Sequence, residues 1–130
     1  MLVRTLRHYP LTTLGSAIII VLCLIWVPPH PDALDRVSLI DKWTHIVLFA
    51  LLCLTWCYER RRRHTPLRRL LWALTGTSAF GALIEVAQGT LTATRSADTA
   101  DWLADTLGAL LGLIVGRYVL TPLWRRKHKR

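Results

Sequence analysis

A chain of 130 residues is one domain's worth of sequence, and 52% of it is hydrophobic. With a mean hydropathy of +0.34, it is too apolar for a small water-soluble globule and too ordered in composition for a disordered or acidic solvating chain. Its 17 Lys+Arg outnumber 8 Asp+Glu, for a net charge of +9, and its apolar runs leave too little chain for a soluble multidomain enzyme.

In chain order, four apolar runs are candidates to cross a bilayer: 11–27, 43–58, 70–91 and 102–121. A helix rises about 1.5 Å per residue and a bilayer core is about 30 Å thick, so the third and fourth suffice and the first two need their flanks. Backbone groups in lipid must pair internally, so these runs are expected to be helices; strand alternation is absent. The expected fold is all-α: a polytopic four-helix membrane bundle forming a single domain, 1–130. Arg4 and Arg7 precede the first run as they would in a signal peptide, but Pro28-Pro29-His30-Pro31 follows in place of a small-residue cleavage site. Cys23 follows Leu22 and so lacks a lipoprotein box. With Cys53 and Cys57 it reads as packing inside apolar sequence, not as a disulfide framework.

Orientation follows from the short loops. Arg4 and Arg7, the cluster Arg60 to Arg63 with Arg68 and Arg69, and the basic tail from Arg125 fall on one side; the other two loops hold only Arg36, Lys42 and Arg95. Both termini are therefore expected in the cytoplasm and loops 28–42 and 92–101 outside. Trp26, Trp43 and Trp102 stand at expected outer ends and Trp56, Trp72 and Trp124 at inner ends, where indoles favour the headgroup level. The arginine runs are explained by topology and anionic headgroups, so membrane lipids are expected partners and nucleic acid is not.

Charged and amide side chains within the spans are few and lie at similar depth. Asp41, Lys42 and His45 stand at the outer end of the second span, Glu85 and Gln88 near that of the third, and Asp98, Asp101 and Asp105 at that of the fourth, with Arg95 in the connecting loop. Unpaired carboxylates facing lipid are costly, so these groups are expected to face one another in an outward-facing polar pocket. Asp98, Asp101, Asp105, Gly108 and Gly112 share one helical face that continues to Gly116; Gly81, Glu85 and Gln88 form a second stripe. Small residues at this spacing admit a close helix neighbour, and Gly108, Gly112 and Gly116 offer a face for a homodimer.

These residues carry a resemblance. Asp41-Lys42-x-x-His45 with Phe49, Glu85-x-x-Gln88, and Arg95-x-x-Asp98-x-x-Asp101 followed by Asp105-Thr106-Leu107-Gly108 and Gly112 resemble the VanZ-like family of small bacterial membrane proteins, over roughly 38–116. The family pattern often has Asn where this chain has Asp105. The resemblance implies a membrane protein of the cell envelope, in a family first associated with low-level teicoplanin resistance, and implies no defined reaction.

Three readings of the polar set remain open. It is a structural lock, with Glu85 paired to Arg95 and His45 to Asp101 or Asp105. It is a recognition site for an envelope lipid, a lipid-linked precursor or a glycopeptide-type drug, with Lys42 and Arg95 meeting anionic groups and Trp43 and Trp102 meeting sugar or lipid. Or it is a metal-assisted enzyme, in which Glu85, Asp98 and Asp101 with His45 hold a divalent cation. The catalytic case is weak: Asp101 and Asp105 reproduce the Asp-x3-Asp spacing of phospholipid alcohol-transferases without the rest of that signature, and the lipid-phosphatase elements are missing. No cofactor is expected. A proton-coupled transporter lacks an inverted repeat.

Overall fold

The computed structural model describes residues 8–25, 34–63, 65–91 and 97–127, with side chains for all of these but 34–39. Helix α1, Pro10–Ile20, runs into a π-helical turn, Val21–Ile25. Helix α2 is Leu34–Glu59 and α3 is Leu67–Leu91. Helix α4, Thr99–Val115, continues through a second π-helical turn, Gly116–Leu120, into the short α5, Thr121–Lys127. Among the described residues there is no strand.

Local chemistry sets these boundaries. Pro10 occupies the first turn of α1, where its missing N–H leaves no bond unmade. Asp98 caps α4, its Oδ1 accepting the Ala100 N–H at 2.8 Å. Helix α2 begins well before Trp43, so much of the expected loop 28–42 is helical. No glycine or proline interrupts residues 34–42, and Asp41 and Lys42 thus lie within the helix, one turn from His45. The two π-helical turns carry no side-chain signature that a sequence pattern would show.

Three helical stretches are long and apolar enough to cross a membrane: Ile40–Glu59, Leu67–Leu91 and Thr99–Lys127; Pro10–Ile25 is apolar but shorter. Their surfaces agree. Along α2, Ile40, Trp43, Val47 and Leu51 expose 51–65% of their surface, while His45 and Phe49 on the opposite face are buried. Apolar side chains outside and polar or small ones inside is the arrangement expected in lipid, where water no longer drives hydrophobic groups inward. The chain is an integral membrane protein.

Helices α2 and α4 share the most extensive interface, and the glycines make it. A Cβ on Gly108 would collide with the Ile46 carbonyl oxygen, one on Gly112 with that of Ala50, and one on Gly116 would meet the Cys57 side chain at 2.7 Å. The glycine face expected to serve a homodimer is thus occupied by α2 of the same chain, and a second copy would have to displace it.

Below the polar residues, Ile19, Cys23, Phe49, Leu52 and Ile84 pack into one apolar cluster, with the Phe49 and Phe80 rings 5.9 Å apart. A second cluster joins Cys53, Cys57, Leu70, Ala109 and Leu113. All three cysteines are buried and none forms a disulfide, in keeping with their apolar sequence setting.

The end of the bundle opposite the polar set is basic and has its own fastening. Glu59, the last residue of α2, accepts the Leu11 N–H at 2.6 Å, the Thr12 N–H at 3.3 Å and the Thr12 hydroxyl at 2.5 Å. A carboxylate from one helix thereby satisfies the orphan donors of another's first turn, where the helix dipole also favours negative charge. Arg60 donates to the Tyr9 hydroxyl at 2.6 Å, and Arg125 donates to the carbonyls of Arg61 and Arg63, both at 2.9 Å. Glu59→Ala is expected to loosen α1 and to cost about 1–2 kcal/mol, read as a lower unfolding midpoint in an SDS titration.

Candidate functional site

Three helices build the site, each through one stripe at helical spacing. Helix α2 contributes Asp41, Lys42 and His45; α3 contributes Gly81, Glu85 and Gln88; α4 contributes Asp101 and Asp105, with Asp98 at its cap. His45, Glu85, Gln88, Asp101 and Asp105 are all buried, and Asp105 and Gln88 are among the most enclosed side chains of the protein, at 0% and 1% exposure.

Asp105 is the centre of the arrangement. Its Oδ1 lies 2.8 Å from His45 Nδ1, which joins α4 to α2. Its Oδ2 points at α3, where a Cβ on Gly81 would lie only 2.7 Å away. Gly81 is therefore a small residue because a carboxylate needs the room. Of the two partners left open for His45, the structure selects Asp105.

Glu85 is held from a different direction. Its Oε2 accepts the backbone N–H of Asp98 at 3.0 Å. The chain returns tightly enough for this because Gly89 lets the Ala97 backbone rest against α3, 3.0 Å from where a Cβ would sit. The expected Glu85–Arg95 pair cannot be placed, since Arg95 lies outside the described residues. Glu85 Oε1 and Asp105 Oδ2 are both buried without a hydrogen-bond partner among the described residues.

Towards the helix ends Lys42 Nζ lies 3.3 Å from Asp98 Oδ2 and 3.3 Å from Asp101 Oδ1. The Lys42 and Asp98 side chains are 29% and 46% exposed, so this rim is open where the layer beneath it is closed. The Ala100 N–H, and behind it Lys42, hold the Asp98 carboxyl below its usual range against a partial loss of solvent. Lys42, expected to meet anionic groups of a ligand, is thus engaged by two carboxylates.

Two residues take other roles than their sequence positions imply. Gln88 Nε2 donates to the Cys23 carbonyl at 3.0 Å, fastening α3 to the π-helical turn that ends α1. Trp102 does not direct its indole N–H to the headgroups: it donates to Ser78, whose carbonyl lies at 3.1 Å and whose hydroxyl lies at 3.2 Å, near the middle of α3. Ser78 also shares a 2.8 Å hydrogen bond with Thr106. Polar side chains inside the bundle draw the ring inwards. Trp43 is 64% exposed, and Trp26 lies outside the described residues.

The polar groups converge, but as a packed layer. A cavity of about 240 Å³ lies elsewhere, between α1, α2 and α3, lined chiefly by Ser16, Trp56, Trp72 and Phe80. No residue of the polar layer lines it. Among the described residues the layer is closed in its interior and half-exposed at the Lys42–Asp98 rim. Two groupings in it bring one donor atom from each of three residues within 4.8 Å of one another: His45 with Glu85 and Asp105, and Asp41 with His45 and Asp101. The trio of Glu85, Asp98 and Asp101, which the sequence leaves open as one alternative, is not among them: Asp98 turns to Lys42 and to its own helix.

No curated protein and no solved structure matches the chain. The profile of one protein family, VanZ/LLP1, matches residues 9–121, a stretch that holds every helix of the bundle core and every residue of the polar layer. Together with the lipid-facing surface and the polar stripes, that match places the chain in the VanZ/LLP1 family.

Proposed function

We propose that the protein works in the bacterial cytoplasmic membrane, with both termini in the cytoplasm, and that its polar layer opens outward to take the headgroup of an envelope amphiphile. The amphiphile is a lipid, a lipid-linked precursor or a glycopeptide-type drug. The observation that carries this reading is the convergence of Lys42, His45, Glu85, Asp98, Asp101 and Asp105 from three helices at one end of the bundle. A lock between helices needs one or two such pairs; this set includes two buried carboxylate oxygens with no partner among the described residues, and a half-open rim. The placing of the basic loops at the other end supports the outward orientation. Headgroup hydroxyls and amines would be accepted by the rim carboxylates, Lys42 would meet an anionic group, and the amphiphile's tail would lie along the apolar surface of α2 or α4.

The test is retention of a lipid-linked peptidoglycan precursor, teicoplanin or bulk anionic lipid by the purified protein in detergent, read by intact-complex mass spectrometry. The reading expects retention of the precursor or teicoplanin above bulk lipid, lowered at least about tenfold in the Lys42→Ala/Asp101→Asn variant, the scale of a lost charge-assisted contact or two. Equal retention by wild type and variant, with both folded, overturns it.

A further inference from the structure

We propose that His45, Glu85 and Asp105 form a binding site for one first-row divalent cation, Mn²⁺ or Zn²⁺, in the polar layer. The site stands without the amphiphile reading above.

Geometry comes first. One donor atom from each of the three residues lies within 4.8 Å of the others. Ligands at about 2.0–2.2 Å from a common ion lie roughly 3–3.6 Å apart, so the farthest donors would close by as much as about 1–2 Å on the ion. Each donor sits on a different helix. α2 and α4 are locked together at Gly108 and Gly112, and Gly81 admits the Asp105 carboxylate between α4 and α3.

A second observation points to a ligand independently. Glu85 and Asp105 are 5% and 0% exposed, and each carries one buried oxygen, Oε1 and Oδ2, that no described group satisfies. A buried acceptor left unpaired is costly, and a buried carboxylate more so. The other two oxygens are already used: Glu85 Oε2 accepts the Asp98 N–H, and Asp105 Oδ1 faces the imidazole. The Glu85 bond, which comes from outside the trio to its non-ligating oxygen, is of the kind that orients a carboxylate ligand around a metal; His45 Nδ1 and Asp105 Oδ1, 2.8 Å apart, already stand close to the spacing of two ligands, and the ion would take the place of the proton between them.

Charge selects the same occupant. Two carboxylates and one imidazole make up the trio, and the nearby ammonium of Lys42 is directed to two further carboxylates of the layer, Asp98 and Asp101. A divalent cation balances the two carboxylates in a medium of low dielectric. The donor set selects the kind of cation: a nitrogen with carboxylate oxygens suits Mn²⁺ or Zn²⁺, whereas Mg²⁺ and Ca²⁺ favour oxygen alone. The three protein donors leave a coordination position for water or another oxygen.

The experiment uses the full chain, free of any histidine tag, in detergent after treatment with a chelator. Metal content after Mn²⁺ or Zn²⁺ is added back is read by inductively coupled plasma mass spectrometry, and binding by titration calorimetry and the shift in melting temperature. The expected result is one ion per chain and a raised melting temperature. Glu85→Gln, which keeps the shape and the Asp98 N–H contact, is expected to bind at least about tenfold more weakly, the scale of a lost metal-site group. Asp105→Asn is expected to do the same if it folds. A Cys53→Ala/Cys57→Ala variant is expected to bind as wild type does. Folded wild type that takes up neither ion overturns the site, as does unchanged binding by Glu85→Gln or loss of binding in the cysteine variant.

Discussion

A Gly108→Val/Gly112→Val variant is expected to yield no folded protein. At both positions the neighbour is not a side chain that can change rotamer but a backbone carbonyl of α2, Ile46 or Ala50, already closer to the notional Cβ than real contacts allow. Overpacking costs about 1–3 kcal/mol where neighbours can give, so two β-branched side chains against a rigid backbone exceed that and separate α2 from α4. Those two helices also carry His45 and Asp105, so the polar layer is lost with the interface. Gly76→Ala is the matched control. Nothing lies within 4 Å of its Cβ, and alanine in a helix interior is favoured over glycine by about 0.5–1 kcal/mol, so the melting temperature is expected to hold or rise slightly. Circular dichroism and gel filtration in detergent check both variants.

The second large effect is expected at Asp105. Asp105→Ala removes the partner of a 2%-exposed imidazole and opens a hole at the crossing of three helices. Breaking a buried pair by removing one member costs about 3–5 kcal/mol. Asp105→Asn keeps an oxygen facing His45 and is expected to lose less. A His45→Leu/Asp105→Leu double variant is expected to be more stable than the sum of its single changes predicts, because each single change strands the other group. An SDS unfolding titration of wild type, the two single leucine variants and the double variant gives the coupling. Additive losses would mean that the 2.8 Å contact contributes nothing.

Much of the site is legible in the sequence because helical spacing alone fixes which residues share a face. The stripes Asp101–Asp105–Gly108–Gly112, Gly81–Glu85–Gln88 and Lys42–His45–Phe49 all turn inwards as their spacing requires. What spacing cannot give is the choice of partner. His45 has two aspartates within reach, and only the depth of α4 against α2, set by the glycines, selects Asp105. Gln88 reads as a pocket residue until the π-helical turn after α1 presents the Cys23 carbonyl to it, and that turn is a backbone event without a residue signature. Glu59 escapes notice because it stands just past the expected end of a span, among arginines, where a carboxylate reads as an exposed charge. The glycine face is legible as a tight contact, but nothing in one sequence says whether its partner helix belongs to the same chain.

The apolar cluster of Ile19, Phe49, Leu52 and Ile84 beneath the acidic layer has a consequence for transport. Phe49 is wholly enclosed, so the bundle is stoppered at mid-depth. Among the described residues, no open path leads from the layer past this cluster. In this arrangement whatever occupies the layer exchanges with one end of the bundle, as cargo does in a blind berth.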